Sequence, residues 1–198
     1  MIKQILNRTK KQIERTLNKF KEDNTIATPQ DKIQIIIDYA TDYNCSTLVE
    51  TGTYLGDTTW GVKDSIQNIY SIELSEELYN TAKKRFMDYP NIHLLQGDSS
   101  DILPQLLDSI NKQNIIFWLD GHYSGDITAK GKKETPILEE LCAIRDYQIK
   151  NSLILIDDSR CFGNFPDYPE INELKAFVMK TWKKAKFQVK NDIIRIII

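Results

Sequence analysis

The segment Leu48–Gly61, LVETGTYLGDTTWG, leads from an apolar run into two glycines, Gly52 and Gly56. Residues 46–50, before the glycines, have the length and composition of a short buried strand, and residues 57–67 can continue as a helix. Because glycine has no Cβ atom, such a loop lets the backbone approach a ligand closely, and the helix start offers free N–H groups. The segment therefore predicts a ligand-binding loop between a strand and a helix.

The composition is typical of one soluble globular domain. The chain has 198 residues, of which 41% are apolar and 27% charged, and its formal charge is −2. This charge favours no nucleic-acid partner. The sequence contains neither an apolar run of the roughly 18 residues that a membrane span needs nor a signal-peptide stretch. The three cysteines have no metal-type spacing, so we expect reduced thiols in a cytoplasmic protein.

Strand and helix patterns alternate along the chain after an N-terminal segment. The strands are short, nearly continuous apolar runs, which indicates an α/β fold whose mainly parallel sheet is covered by helices on both faces. The helix that contains Pro104 is expected to place this proline in its first turn. Two β-rich runs flank Asn191 and Asp192 at the end of the chain and predict a hairpin, which adds an antiparallel strand at one edge of the sheet.

Each of the five central strands ends in a carboxylate. These residues are Glu50, Glu73, Asp98, Asp120 and the pair Asp157 and Asp158. In open α/β sheets, ligands bind at the carboxyl ends of the strands. One acidic strand end is common because Asp favours caps and turns, but five in succession are much less so. Such a cluster repels phosphates and suits a cationic or hydroxyl-rich ligand.

Two common nucleotide-binding motifs do not match the first loop. A dinucleotide site needs the pattern G-x-G-x-x-G, and Tyr54 stands where its second glycine would be. A P-loop needs a Gly-Lys-Ser/Thr run, which does not follow here. Neither motif therefore accounts for the loop.

The sequence resembles the class I S-adenosylmethionine (SAM)-dependent methyltransferases over about residues 30–198. Their first motif, an acid followed by Gly and a second Gly four positions on, is matched by ETGTYLG, residues 50–56. In that family the acid ending the second strand holds the ribose hydroxyls, which corresponds to Glu73 of YSIEL. A third-strand acid or its neighbour lies by the adenine, which corresponds to Asp98 of QGDSS. Carboxylates accept hydrogen bonds from hydroxyls and attract a sulfonium, so the chemistry agrees.

This resemblance implies a Rossmann-like three-layer sandwich with a mainly parallel seven-stranded sheet and a C-terminal antiparallel hairpin strand. It places the methyltransferase domain at residues 25–198. The residues it implies for SAM binding lie at the ends of the first four strands. They are Glu50, Gly52, Thr53, Tyr54, Gly56, Thr58, Glu73, Leu74, Gly97, Asp98, Ser99 and Asp120.

The fourth and fifth strands resemble those of the metal-dependent O-methyltransferases of the macrocin and catechol types. In these enzymes an acid after strand four and an acidic pair after strand five bind Mg²⁺. By position, FWLDGHYSG and LILIDDS make Asp120, Asp157 and Asp158 the ligands of Mg²⁺ or another divalent cation. Successive residues of an extended strand point to opposite faces, so Asp157 and Asp158 reach one ion only if the strand ends between or before them. In the alternative interpretation, one of the pair caps the next turn.

Catalytic and substrate-binding candidates follow the same two strands. His122 is the candidate general base, because its ordinary pKa is near neutrality and it comes two residues after Asp120, the second catalytic candidate. A packing role for His122 stays open. The long loop 121–136 and the segment 159–170 are the expected walls of a substrate pocket. They carry the candidate substrate contacts Tyr123 and Arg160, and Arg160 can bind a carboxylate or phosphate in bidentate fashion.

Residues 1–24 predict a basic amphipathic helix ahead of the domain. The first 22 residues contain seven Lys or Arg against two Glu, with apolar residues at helical spacing. This helix can dock on its own domain or on a second subunit, giving a homodimer, or make peripheral contact with an anionic membrane through residues 1–22. Its apolar side has no Trp anchor, which favours docking or dimerisation.

The sequence thus predicts a SAM-dependent O-methyltransferase, assisted by a divalent cation. The expected acceptor is a hydroxyl of a sugar or secondary metabolite, as a small molecule or part of a glycan, and no nucleic acid is expected as a partner. Two alternatives remain. One is a metal-independent methyltransferase in which His122 orients the acceptor, and the other is a non-catalytic SAM-binding module.

Overall fold

The computed structural model describes residues 25–111, 113–121 and 135–198. The predicted N-terminal helix, His122 and Tyr123 lie outside these residues. In chain order the elements are α1 (Pro29–Asp42), β1 (Thr47–Thr51), α2 (Asp57–Val62), β2 (Asn68–Glu73), α3 (Glu76–Arg85), β3 (Ile92–Gln96), α4 (Ser99–Ser109), β4 (Ile115–Leu119), α5 (Ile137–Asp146), β5 (Leu153–Ile156), a 3-10 turn (Ser159–Cys161), α6 (Ile171–Thr181), β6 (Lys186–Lys190) and β7 (Ile193–Ile197). None of the helices in the described part of the chain is long and apolar enough to cross a membrane.

The strands form one seven-stranded sheet in the order β3-β2-β1-β4-β5-β7-β6. Strands β1 to β5 pair in parallel, whereas β7 runs antiparallel to both of its neighbours. The mainly parallel sheet with a C-terminal hairpin is thereby confirmed. The hairpin lies at one edge of the sheet, where β7 pairs antiparallel with β5 and β6 pairs antiparallel with the outer side of β7. The chain order reverses between β1 and β4, and their carboxyl ends flank the crevice where such sheets bind ligands.

Alternating side chains divide the core into one layer on each face of the sheet. Phe117 and Ile154 pack with helices α4, α5 and α6, while Trp118 and Leu155 pack on the other face with helices α1, α2 and α3. This is the three-layer sandwich that the sequence predicts. Side chains two residues apart in a strand point to the same face. If this alternation continues past the strand ends, Asp120 and Asp157 point toward α1, as Trp118 and Leu155 do. The alternation of side chains in the preceding strand therefore determines which face of the sheet the acidic side chain after that strand points to.

Helix α1 begins with a complete capping box. The Thr28 hydroxyl accepts the N–H of Asp31, and the Asp31 carboxylate accepts the N–H of Thr28 in return, while Pro29 occupies the first turn. These contacts satisfy N–H groups that the helix itself leaves unpaired. They also hold the first turn of α1, which carries Lys32, over the ends of β4 and β5.

Two local predictions have different outcomes. Asn191 and Asp192 both have positive φ, 55° and 61°, as the two-residue turn of a hairpin requires, so the predicted hairpin is confirmed. Pro104, in contrast, lies in the middle of α4 and not in its first turn, because Asp98 caps the helix and starts it at Ser99. The prediction erred because it took the proline as the signal for the helix start and overlooked the cap at Asp98, six residues earlier.

Candidate functional site

The glycine loop packs against the end of the neighbouring strand β4. Gly52 has a φ of +84°, and a Cβ atom at this position would lie 2.5 Å from the backbone oxygen of Asp120. Its N–H donates to the carbonyl of Ile72 at 2.9 Å. Both the left-handed conformation and the close approach of two backbones require glycine. The loop is thus held between β2 and β4, at the crevice that the strand order defines.

Glu73 anchors this loop from the end of β2. One carboxylate oxygen accepts the N–H of Tyr54 at 2.8 Å, and the other accepts the N–H of Ser75 at 2.8 Å. Tyr54 itself has a positive φ of 50°, so Glu73 stabilises an unusual backbone conformation. An ionised carboxylate has about four acceptor positions, which leaves capacity for the hydroxyl groups of a ligand. Glu73 is buried, with 6% of its surface exposed.

Glu50 lies beneath the loop and points into the protein. Its carboxylate accepts hydrogen bonds from the hydroxyls of Thr59, at 2.6 Å, and Ser71, and Ser71 also pairs with the hydroxyl of Thr53 at 2.6 Å. Burial raises the pKa of Glu50 to about 7, although the hydrogen bonds from Ser71 and Thr59 act in the opposite direction. Glu50 and Thr53 therefore support the loop from below through a buried polar network.

The remaining predicted SAM-binding residues line the ends of β2 and β3 and the start of α2. Gly56 precedes α2 with a φ of +78° and packs on the Phe86 ring, and Thr58 lies half-buried in the first turn of that helix. The carbonyl of Leu74 accepts the side-chain amide of Gln96 at 3.1 Å.

After β3, Gly97 bonds back to the carbonyl of Glu73 at 2.9 Å, and Asp98 caps α4 by accepting the N–H of Ser100. The hydroxyl of Ser99 is turned away and donates to buried Glu140 at 2.7 Å. The structure thus brings these residues to the same edge of the sheet as Gly52 and Glu73.

The acidic residues after β4 and β5 also come together. Strand β5 ends at Ile156, before the Asp157–Asp158 pair, and Asp158 has a positive φ of 54°, so the two carboxylates need not point to opposite faces. The N–H of Asp157 donates to the carbonyl of Leu119 at 3.1 Å, which sets it beside the position of Asp120. The geometric condition on which the metal prediction depended is therefore met.

Two cationic side chains of the protein contact this acidic pair. The Lys32 ammonium bonds to Asp157 and lies 3.9 Å from Asp158, and its side chain is only 21% exposed. The Arg160 guanidinium contacts Asp158 at 2.8 Å and also pairs with Asp192. Burial first, and then the charge of Asp120, raise the pKa of Asp157 to about 7, against the effect of Lys32. Burial alone would lower the pKa of Lys32, but the charges of Asp157, Asp120 and Asp158 raise it overall.

These contacts do not fit a bound divalent cation. A divalent ion needs oxygen ligands free of competing cations, and here an ammonium and a guanidinium contact the two aspartates of the pair. Within residues 25–111, 113–121 and 135–198, no group of three His, Cys, Asp or Glu has an arrangement suited to a metal. The metal site predicted at Asp120, Asp157 and Asp158 is thus not confirmed, and the contacts of Lys32 and Arg160 count against it.

The segment after β5 is packed by its own aromatic residues. Phe162 is buried, and its ring meets that of Tyr168 edge-on at 5.2 Å. Arg160, the predicted substrate contact, has half of its side chain exposed while its guanidinium contacts Asp158 and Asp192. Its role toward a substrate stays a prediction, as do those of His122 and Tyr123.

Sequence reasoning missed Lys32, Glu140 and Asp192. Lys32 and Glu140 lie in helix segments far along the chain from the strand ends they contact, and no motif marks them. Asp192 was identified only as a turn residue, yet its buried carboxylate accepts from the hydroxyl of Ser159 at 3.0 Å and the N–H of Arg160 at 2.8 Å. The only sequence signal at Asp192 was the turn that it forms with Asn191. That signal does not indicate that Asp192 pairs with Ser159 and Arg160, which lie far away in the chain.

Comparison with solved structures identifies the fold. An O-methyltransferase from Bacillus cereus in complex with S-adenosylhomocysteine (SAH) matches with a TM-score of 0.61 and 12% identity, over 94% of this chain and 88% of that chain. TomG from Streptomyces achromogenes, an O-methyltransferase of tomaymycin synthesis in complex with SAM, matches with a TM-score of 0.61 and 14% identity, over 87% and 80%. An SAH-bound methyltransferase from Podospora anserina matches with a TM-score of 0.60 and 16% identity, over 83% and 76%.

The fold is therefore the Rossmann-like fold of class I SAM-dependent methyltransferases, as the sequence motifs predict. No protein-family model matches the sequence, and the search of curated proteins finds no significant match. At these low identities the structural likeness concerns the fold alone.

Proposed function

We propose that this protein transfers a methyl group from SAM to a hydroxyl oxygen of a small molecule or glycan. The observation that carries the proposal is the loop at Gly52, whose backbone lies against the end of β4 while Glu73, at the end of β2, accepts the N–H of Tyr54 in this loop. This places a carboxylate with spare acceptor capacity beside a crevice at the switch point of the sheet. The three SAM- or SAH-bound proteins above share the fold that surrounds this loop.

The chain supplies binding and orientation in this reaction. Glu73 is our candidate for binding the ribose hydroxyls, and Asp98, one strand further, is our candidate for the adenine side. SAM supplies an activated methyl group bound to a sulfonium, and an acidic crevice favours that positive charge. The acceptor hydroxyl must lose its proton as its oxygen takes the methyl group. His122, which follows Asp120 by two residues, remains our candidate for the base.

A sugar or secondary-metabolite hydroxyl is the proposed acceptor class. TomG, among the structures with this fold, is an O-methyltransferase involved in tomaymycin synthesis, which supports a metabolite acceptor by analogy only. A divalent cation has no part in this proposal, because Lys32 and Arg160 contact its candidate ligands.

The proposal is tested first by titrating the full chain with SAH in a calorimeter. We expect binding in the wild type, and in Glu73→Gln we expect an affinity lower by about tenfold or more, since a hydrogen bond to a charged acceptor contributes about 1.5–3 kcal/mol. Glu76→Gln, at an exposed position in the next helix, is the matched control and should bind as the wild type does. Folding of each variant is verified by circular dichroism.

Transfer is then measured with SAM labelled in the methyl group and a panel of sugar and phenol acceptors. No SAH binding by the folded, ligand-free wild type would refute the methyltransferase proposal. SAH binding that Glu73→Gln leaves unchanged would refute the placement of the ribose. Binding without transfer to any hydroxyl acceptor would favour the non-catalytic SAM-binding module instead.

A further inference from the structure

Lys32 lies against residues that the resemblance to the metal-dependent O-methyltransferases implies as cation ligands. It lies in the first turn of α1, held there by the capping box of Thr28 and Asp31. Its ammonium bonds to Asp157, which emerges from β5, and lies 3.9 Å from Asp158. The charge of Asp120, at the end of β4, also acts on Lys32. Two of the predicted metal ligands, Asp157 and Asp158, therefore lie against one lysine from a different layer of the fold, and the charge of the third, Asp120, also acts on it.

The sheet alternation explains why this lysine reaches the acids. Trp118 and Leu155 face the layer that contains α1, so the side chains two residues later, Asp120 and Asp157, emerge toward the same layer. The Asp157 side chain is 2% exposed and the Lys32 side chain 21% exposed, so the pair is largely withdrawn from water. A buried carboxylate without a cation is strongly unfavourable, and the Lys32 ammonium is the positive charge that lies against Asp157.

We infer that Lys32 serves as a built-in cation at the acidic end of β4 and β5, so that the site works without a divalent metal. The catalytic part of this inference rests on the proposed function, because it concerns the same site. An ammonium has three donors, and its contacts within the described residues are with Asp157 and Asp158. It can therefore also donate to an acceptor oxygen that enters the crevice. In this role Lys32 orients that oxygen and favours its loss of a proton.

The alternative is a purely structural ion pair that tethers α1 to β5. Both interpretations predict that loss of Lys32 weakens folding. They differ in what Lys32 does to the candidate ligands as a group: a built-in cation excludes a metal ion from them, whereas a tether to Asp157 alone leaves their affinity for a metal nearly unchanged. Metal binding itself is therefore the discriminating readout, and it is independent of methyl transfer.

The test uses Mn²⁺, followed by electron paramagnetic resonance, with the full chain in the presence and absence of SAH. We expect no specific Mn²⁺ binding to the wild type and a gain in Lys32→Ala of about thirtyfold or more in affinity. This is the effect of removing a unit positive charge about 4 Å from a divalent ion, even at the dielectric constant of bulk water. Lys63→Ala is the control, because Lys63 pairs with exposed Asp64 outside the site and its loss should leave Mn²⁺ binding unchanged.

Mn²⁺ binding by the wild type that Asp157→Asn abolishes would overturn the inference and restore the metal-dependent interpretation. Failure of a folded Lys32→Ala to gain affinity would also overturn it. Lys32→Arg keeps the positive charge and should exclude Mn²⁺ as the wild type does. This variant keeps the inference testable if Lys32→Ala does not fold. If SAH fails to bind while Lys32→Ala gains Mn²⁺, the proposed function fails and the assignment of Lys32 as the cation stands.

Discussion

Replacing Glu140 by Gln should change how the stability of this protein depends on pH. Glu140 of α5 is fully buried behind the strand ends and accepts the Ser99 hydroxyl at 2.7 Å. Burial raises its pKa from 4.5 to about 7, against the effect of the hydrogen bond from Ser99. Glutamine keeps a carbonyl acceptor for Ser99 but cannot ionise.

The sign of the effect follows from proton binding. Between about pH 4.5 and pH 7 the unfolded chain has lost the Glu140 proton while the folded chain retains it, so the free energy of unfolding falls as the pH rises. A difference of one pH unit between two pKa values corresponds to about 1.4 kcal/mol, so this carboxyl removes about 3 kcal/mol of stability across the window. Glu140→Gln should therefore gain about 3 kcal/mol relative to the wild type between acidic pH and about pH 8.

The assay is urea unfolding, followed by tryptophan fluorescence, at several values between about pH 5 and pH 8. Glu50 and Asp157, whose pKa values are also about 7, titrate in the same window, but they are common to both proteins. The difference between the two stability curves therefore isolates Glu140. Glu77→Gln, at an exposed position in α3, is the control and should follow the wild type. Parallel curves for Glu140→Gln and the wild type would refute the reasoning.

Three further substitutions test other parts of the fold and site. Gly52→Ala places a Cβ 2.5 Å from the Asp120 oxygen, so it should lower SAH affinity by about tenfold or more in calorimetry, and unchanged affinity would contradict the role of the loop. Asp192→Ala removes the buried partner of Ser159 and Arg160 and should cost about 3 kcal/mol in urea unfolding, whereas a loss below about 1 kcal/mol would show that these contacts contribute little. Thr28→Ala breaks the capping box and should lower stability by about 1 kcal/mol, and an unchanged unfolding midpoint would count against it.

Local patterns were sufficient to predict where the elements lie and which residues end the strands. The apolar runs and Gly52 predicted the loop at the end of β1, and the pair Asn191 and Asp192 predicted the hairpin turn. These predictions succeeded because strand alternation, glycine conformation and turn chemistry depend on residues close together in the chain. Pro104 shows the limit of this reasoning, since a favourable cap at Asp98 started the helix earlier than the proline suggested.

By itself, then, the sequence determined the order of strands and helices, the glycine loop and the row of acids along one edge of the sheet. Tertiary structure alone decided what each acid does there. Glu50 turns inward to Thr59 and Ser71, Asp157 meets Lys32 from α1, and Asp192 meets Arg160. The physical reason is that a carboxylate's role depends on the charge and solvent around it. Those surroundings come from layers that pack together only when the chain has folded.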